Sequence, residues 1–262
     1  MKKLLFILFT LITVGGNAQQ KLEFKIDGLK DTTVFLARYF GERLYYADTT
    51  ISKKEVVIFN HKKLAEGVYA VVCPGSNYFE FVVSDEDVLM ETQLKDLSGS
   101  MIVKKSKNNQ LFYNYINFLA KKKKEANSSK DKEDKLKEID LKVKEYQKTN
   151  LFNHLDLLAA KVLAMSIDPV MPDELKKNDT LKYNYILKHY WDNIDVSDKR
   201  IIHSPVYHKK LDNFFKMVPQ NPDTICRYAQ QLIDQMDATS DLFKYTVHHI
   251  TYKYETSNIM GM

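Results

Sequence analysis

Residues 188–215 read KHYWDNIDVSDKRIIHSPVYHKKLDNFF and organise the second half of the chain. They contain the only tryptophan, Trp191, and join two amphipathic segments through a short acidic linker. Aspartate and serine side chains accept hydrogen bonds from free backbone amides at helix ends, so the linker predicts that one helix ends and another begins. Ser204-Pro205 then predicts a helix start. A serine at this position accepts a hydrogen bond from a backbone amide of the first turn, and the amide hydrogen that proline lacks has no partner within the helix at its first position.

Helical periodicity extends on both sides of this stretch, from residue 107 to residue 262. Leu111, Tyr115 and Phe118 recur at intervals of four and three residues, which places them on one face of a helix. A lysine-rich helical hairpin is predicted over residues 108–149. The helices predicted after it cover residues 151–167, 180–192, 204–218, 221–236 and 240–254.

The first half of the chain alternates with the two-residue period of β-strands. Leu22, Phe24 and Ile26 alternate with charged residues, and the later runs are rich in β-branched and aromatic residues. Turn residues separate about eight short runs, which favours an antiparallel sandwich or a small barrel. The predicted fold class is α+β and multidomain, with an N-terminal antiparallel β-sandwich over residues 19–106 followed by an all-helical region over residues 107–262.

The N-terminus has the pattern of an export signal. Two lysines precede an apolar run from Leu4 to Val14, and the small residues Gly16 and Ala18 fit a signal peptidase site. A membrane-spanning helix needs roughly 20 apolar residues, which this run does not reach. We expect residues 1–18 to be a cleaved signal peptide and the mature chain to have no transmembrane anchor. A retained anchor is the alternative.

The positive charge is concentrated in one segment. The formal charge of +5 becomes +3 without Lys2 and Lys3, and residues 121–148 hold 11 lysines against 7 acidic residues. A nucleic-acid-binding face needs basic residues spread over a surface, so no nucleic-acid partner is predicted. Several acidic residues in this segment precede a basic residue by four positions, and this spacing predicts a solvated helix face. A basic contact surface for a membrane or an acidic partner is the alternative.

The sequence predicts no catalytic residue, no cofactor and no metal site. Cys73 and Cys226 form no Cys-x-x-Cys pair, and we expect each to be a small buried hydrophobic residue. A disulfide between them is the alternative that export permits. His248 and His249 point about 100° apart on a helix, so both cannot bind one ion from that helix.

The candidate interaction residues are Tyr190, Trp191 and Tyr207. Their rings are suited to an aromatic platform for a sugar or a peptide. A buried aromatic hub between packed helices is the alternative and the more usual arrangement. Asp195 and Asp198 have carboxylates for general acid–base work, but their position between two helices favours capping.

Several long runs resemble a known architecture. YFGERLYYADTTI (39–51), GVYAVVCPGSNYFEFV (67–82) and QLFYNYINFL (110–119) resemble the N-terminal β module of secreted bacterial thioredoxin-like thiol-disulfide oxidoreductases. Four further runs resemble the helical module of unknown function in the same proteins: YWDNIDVSD (190–198), SPVYHKKL (204–211), NPDT (221–224) and YKYETSNIMGM (252–262). Together the two resemblances cover nearly the whole mature chain.

In that family a thioredoxin domain with a redox Cys-x-x-Cys follows the two modules, and it is missing from this sequence. Cys73 and Cys226 match neither that motif nor its context. The resemblance implies a non-catalytic accessory or scaffold region of a periplasmic oxidoreductase, whose partner is a thioredoxin-like domain in a longer chain. The apolar residues near Met262 agree with a chain that continues.

Two other functions remain open from the residues. The first is a stand-alone secreted module that binds a peptide or a glycan of the cell envelope through the sandwich or the Trp191 region. The second is a structural envelope protein that assembles through the lysine-rich hairpin.

Overall fold

The computed structural model describes residues 20–61, 64–128 and 132–259, so the predicted signal peptide over residues 1–18 lies outside the described residues. Eight strands come first, and seven α-helices follow over the described part of the chain, which confirms the α+β class. The strands are β1 Gln20–Asp27, β2 Thr33–Phe40, β3 Arg43–Ile51, β4 Val56–His61, β5 Gly67–Val72, β6 Tyr78–Val83, β7 Val88–Gln93 and β8 Ile102–Lys105.

Two four-stranded sheets form the β half, in the orders β4-β1-β7-β8 and β3-β2-β5-β6. Their facing sides are apolar and buried, because every second residue of the alternating runs points inward. Phe24 of one sheet contacts Phe79 and Phe81 of the other edge-on, with ring centroids 5.4 and 4.9 Å apart. These rings form the centre of the sandwich core.

One strand pair departs from the predicted antiparallel arrangement. β1 pairs with β4 antiparallel on one side and with β7 parallel on the other. β5 and β6 belong to the second sheet, so the chain leaves the first sheet after β4 and returns as β7 in the direction of β1. The two-residue alternation is the same for both pairings and therefore does not distinguish them.

The helices are bounded by the capping residues that the sequence predicts. Ser204, Asn221 and Ser240 accept hydrogen bonds from the amides two or three residues later, at 3.2, 3.0 and 3.1 Å. The helices are α1 Lys107–Ser128, α2 Lys132–Tyr146, α3 Leu158–Ala164, α4 Asp179–His189, α5 Pro205–Met217, α6 Pro222–Ile233 and α7 Asp241–Glu255.

The predicted hairpin is confirmed as α1 and α2. Phe118 of α1 stacks on Tyr146 of α2, with ring centroids 4.1 Å apart. The outer face of α2 carries the predicted pairs of acids and lysines four residues apart, including Glu133 with Lys137 at 2.9 Å. These exposed pairs lie within α2 and contribute only a few tenths of a kcal/mol each, whereas the rings of Tyr115 and Phe118 against Tyr146 join the two helices.

The helix predicted over residues 151–167 is confirmed only over α3. Before it, Gln147–Leu151 form a π-helical turn and Phe152–His154 a 3-10 turn. α3 begins where the Ala159 amide donates a hydrogen bond to Asn108 Oδ1 at 2.9 Å. Because Asn108 belongs to α1, a tertiary contact sets this start, and periodicity along one segment contains no information about it.

Asn109 of α1 joins the helical half to the sandwich. Its Oδ1 accepts a hydrogen bond from the Val82 amide, and its Nδ2 donates one to the Val82 carbonyl, both at 2.7 Å. The side chain is fully buried. One amide group thus satisfies the outer edge of β6 at this residue, as a neighbouring strand would.

The 3-10 turn Lys199–His203, called the docking turn below, forms a second junction. The Gly41 amide donates a hydrogen bond to the Ile202 carbonyl at 2.8 Å. Gly67 at the start of β5 lies so close to His203 that a Cβ there would be 2.4 Å from the His203 Cβ. The buried apolar residues of the two halves consequently belong to one continuous core.

Asp198 holds the docking turn through charged hydrogen bonds. Its carboxylate accepts from Arg200 Nε and Nη2 at 2.8 and 2.6 Å and from Lys161 Nζ at 2.7 Å. Arg200 also reaches Glu66 of the β half. Burial alone would raise the pKa of Asp198, but the hydrogen bonds from Arg200 and Lys161 outweigh it and hold the pKa below its usual range.

The contribution of Asp198 to stability is expected to be present at neutral pH and lost in acid. Its folded-state pKa lies below the unfolded value of about 3.9, so the stabilisation declines as the pH falls below that value. Asp198→Asn should lower the free energy of unfolding by about 2 kcal/mol at pH 7, and this difference should narrow at pH 3. Urea unfolding measures both, with the exposed Asp85→Asn as control. A difference independent of pH would contradict the prediction.

Candidate functional site

Tyr190, Trp191 and Tyr207, the predicted interaction residues, lie together between α4 and α5. The Tyr190 and Tyr207 side chains are buried, and their hydroxyls bond to the Lys210 carbonyl and to Thr246 Oγ1 at 3.1 and 2.6 Å. Trp191 is half-buried, with its ring centroid 5.4 Å from that of Tyr190 and 6.5 Å from that of Tyr207. The structure therefore places the three rings in a packed hub, and a binding role for them stays a prediction.

The indole nitrogen of Trp191 is an exception within the hub. It is buried, and it has no hydrogen-bond partner among the described residues. The ring borders a cavity of about 560 Å³ that also contacts Phe214 and Tyr228. Buried polar groups normally have hydrogen-bond partners. Without one, this nitrogen stabilises the fold no more than a hydrocarbon group in its place would.

Substitution of Trp191 separates the packing role from a binding role. Trp191→Phe should lower the melting temperature much less than Trp191→Ala, since it keeps one aromatic ring in the hub and removes a donor without a partner. Trp191→Ala should lower the free energy of unfolding by about 3 kcal/mol, because a half-buried aromatic ring is lost. Thermal unfolding by circular dichroism measures both, with the exposed Tyr252→Ala as control. A stable Trp191→Ala protein would contradict the hub and favour the exposed platform.

A cleft of about 540 Å³, called the junction cleft below, opens where the two halves meet. The β half contributes Phe40 at the end of β2 and Arg43 and Tyr45 at the start of β3, and the helical half contributes Tyr245 and Tyr252 of α7 among others. Phe40 meets Tyr245 edge-on at the base, with ring centroids 5.8 Å apart. No local sequence pattern indicates this cleft, because its walls lie about 200 residues apart in the chain.

Polar side chains line one wall of the junction cleft. The Tyr245 hydroxyl bonds to His208 Nδ1 at 2.7 Å, and His208 Nε2 lies 3.3 Å from Glu42 Oε2. His249 Nε2 is buried without a hydrogen-bond partner in the described part of the chain. Burial lowers the pKa of His249, and the neighbouring His208 lowers it further. His249 is therefore predominantly neutral at pH 7, and its Nε2 lies 3.9 Å from Asp212 Oδ1.

The rim of the junction cleft is exposed on both sides. Tyr45 and Tyr252 face solvent with 51% and 61% of their surface. The Arg43 side chain is 75% exposed, and its Nε lies 3.8 Å from Glu42 Oε1. Burial raises the pKa of Tyr245, so this phenol stays protonated and is not an activated nucleophile. Aromatic rings with a few polar groups are typical of binding sites.

The two cysteines lie in different environments, and both are free thiols. Cys73 is buried in the sandwich, and burial raises the pKa of its thiol to about 11, so it is protonated at neutral pH. The prediction of burial is wrong for Cys226, which is exposed on α6. The buried face of α6 carries Ile225 and Leu232, and the residue after Ile225 points about 100° away from it.

His248 and His249 diverge as predicted. His248 stacks on Tyr252 with ring centroids 6.1 Å apart, whereas His249 contacts His208 at 4.9 Å. Across residues 20–61, 64–128 and 132–259, no group of three or more His, Cys, Asp or Glu residues is arranged to hold a metal ion. Within the same ranges, no helix is both long and apolar enough to span a membrane.

Comparison with known families identifies a domain of unknown function in the helical half. A domain of unknown function, DUF5106, matches residues 120–262, which is more than half of the chain. The chain belongs to the DUF5106 family. The DUF5106 region includes α5 and α7, the helical walls of the junction cleft, whereas the β2 and β3 wall lies outside it. No curated protein and no solved structure matches the chain.

Proposed function

We propose that this chain is the non-catalytic accessory region of a periplasmic thioredoxin-like thiol-disulfide oxidoreductase. In this role it is a scaffold that positions a thioredoxin-like domain of the same polypeptide. The resemblance of residues 39–51 and 190–198 to the modules of such proteins supports the proposal. The observation that carries it is the single core that the two halves share.

A scaffold has to keep its two ends in a fixed relation. Asn109 fixes α1 to β6 through two hydrogen bonds, and the docking turn fixes the helical half to β2 and β5. Modules joined only by a linker move relative to each other unless their interface is large and apolar. The buried interface between the two halves therefore favours a rigid support over two binding modules joined by a flexible linker.

Disulfide exchange in this proposal uses a dithiol of the thioredoxin-like domain. Exchange requires an accessible thiolate. The Cys73 thiol is buried with a raised pKa, and Cys226 lies on α6 in the other half, so the two thiols do not form a redox pair. The chain thus contributes position and partner contacts, and the thioredoxin-like domain contributes the chemistry.

Insulin reduction tests the proposed role. The polypeptide encoded by the complete natural gene should contain a Cys-x-x-Cys and accelerate the dithiothreitol-driven precipitation of insulin, whereas residues 19–262 alone should not. The Cys73→Ser and Cys226→Ser double variant of residues 19–262 is the control for adventitious thiol chemistry. Reduction by residues 19–262 alone, or a complete gene without a Cys-x-x-Cys, would disprove the proposal.

A second proposed function is a secreted module that binds a peptide or a glycan of the cell envelope. The junction cleft favours it, since aromatic rings and three histidines surround a space of about 540 Å³. Binding pockets are typically about 300–1,000 Å³ and mostly apolar with a few polar groups. A module of this kind would act without a redox partner, so the insulin assay does not bear on it.

A further inference from the structure

Strand β3 is an open edge. It lies at the end of its sheet and pairs only with β2 among the strands described. About half of the backbone N–H and C=O groups of an edge strand point away from its sheet and can pair with another chain. Tyr46 and Ile51 expose 69% and 61% of their surface. β3 contains neither lysine nor proline, and its charged residues are Arg43 and Asp48.

Two other edges of the sandwich are closed or short. The outer edge of β6 is occupied by the Asn109 amide and by α1. β8 has only four residues and ends in Lys104 and Lys105, which are residues that discourage pairing at an edge. β3 has nine residues and is the longest strand of the sandwich. β3 is therefore the longest of the four edge strands, β3, β4, β6 and β8.

The open edge and the junction cleft share one face of the sheet. Arg43 and Tyr45 line the cleft, and they pair with Phe40 and Arg38 of β2. Residues directly opposite each other in a ladder point to the same face. A strand added beside β3 would therefore direct the side chains opposite Arg43 and Tyr45 into the cleft.

We propose that β3 binds an extended peptide segment of another protein, with an aromatic side chain opposite Tyr45 and a carboxylate opposite Arg43. Aromatic pairs and opposite charges are the favourable cross-strand pairs. The Arg43 side chain is 75% exposed, and its ion pair with Glu42, from Nε to Oε1, is long at 3.8 Å and exposed to solvent, so a second carboxylate has access to the guanidinium. This inference rests on the second proposed function and names its ligand class and its site.

The direction of the added strand determines the peptide pattern. The positions opposite Tyr45 and Arg43 are two residues apart. An antiparallel strand meets Tyr45 first, so its sequence reads aromatic-x-acidic. α7 contributes Tyr245 and Tyr252 to the cleft, and the space of about 540 Å³ is in the range of small-ligand pockets, which suits a few side chains of one strand. The backbone supplies affinity, and the cleft supplies selectivity.

Peptide selection on the full chain tests the inference. A phage library of random nine-residue peptides is panned on the purified protein, and enriched peptides are synthesised with fluorescein for anisotropy titration. We expect enrichment of aromatic-x-acidic sequences. Arg43→Glu should weaken binding roughly tenfold, and a peptide with lysine in place of the acid should recover it. Lys104→Glu on β8 is the matched control and should bind as the natural chain does.

Amide hydrogen exchange locates the bound peptide. Saturating peptide should protect amides of β3 and leave those of β8 unchanged. The inference is overturned if panning enriches no peptide, if protection appears away from β3, or if light scattering shows a dimer that protects β3 without peptide. Failure of the insulin assay would leave these results unaffected, so the redox proposal and the peptide proposal fail separately.

Discussion

Asn109→Ala is expected to lower the free energy of unfolding by about 3–5 kcal/mol. The substitution leaves the buried Val82 amide and carbonyl without partners, and each such group costs about 1–3 kcal/mol. Asn109 Nδ2 also donates to Ser106 Oγ at 2.8 Å, and this hydrogen bond is lost as well. Urea unfolding followed by circular dichroism measures the change.

The matched control for this prediction lies on the same helix. Asn114 is exposed on α1, so Asn114→Ala should change the free energy of unfolding by less than about 0.5 kcal/mol. Both substitutions replace asparagine by alanine in one helix, and their effects on helix propensity therefore cancel. Equal stabilities of the two variants would show that the Asn109 amide does not seal the edge of β6.

The Asn109 contact also shows what the sequence can and cannot reveal. The strands and the caps at Ser204, Asn221 and Ser240 were predictable, because alternation and capping depend on neighbouring residues. Asn109 gives no such indication, since an asparagine in a polar segment looks like a solvated residue. Its role depends on Val82, which is 27 residues earlier and in another element.

The junction cleft was not predictable for the same reason. Its walls meet only when β3 has its register on β2 and α7 has its place beside α5. The sequence identified Tyr190, Trp191 and Tyr207 because they cluster around a unique tryptophan, and the structure uses those rings for packing. Residue type thus located an aromatic cluster, but exposure decides which aromatic rings can meet a ligand.

The second large effect is expected at Gly67. Its φ is +156°, and an added Cβ would lie 2.4 Å from the His203 Cβ and 3.0 Å from the His203 carbonyl oxygen. Neither atom can rotate away, because the carbonyl oxygen belongs to the backbone and the Cβ is bonded directly to the backbone. Gly67→Ala should therefore displace the docking turn and lower the free energy of unfolding by about 3 kcal/mol, from steric overlap and backbone strain together.

Gly28→Ala separates these two causes. Gly28 also has a positive φ, +87°, but the nearest atom to an added Cβ is the Leu94 Cβ at an ordinary 3.9 Å. Gly28→Ala should therefore lower the free energy of unfolding only through backbone strain, by about 1 kcal/mol. Limited trypsin digestion supplies a second measurement, since displacement of the docking turn should speed cleavage at Lys199 or Arg200 in Gly67→Ala alone. If the two variants unfold and digest alike, the close approach of Gly67 to His203 does not hold the two halves together, and the rigid support proposed above loses its basis.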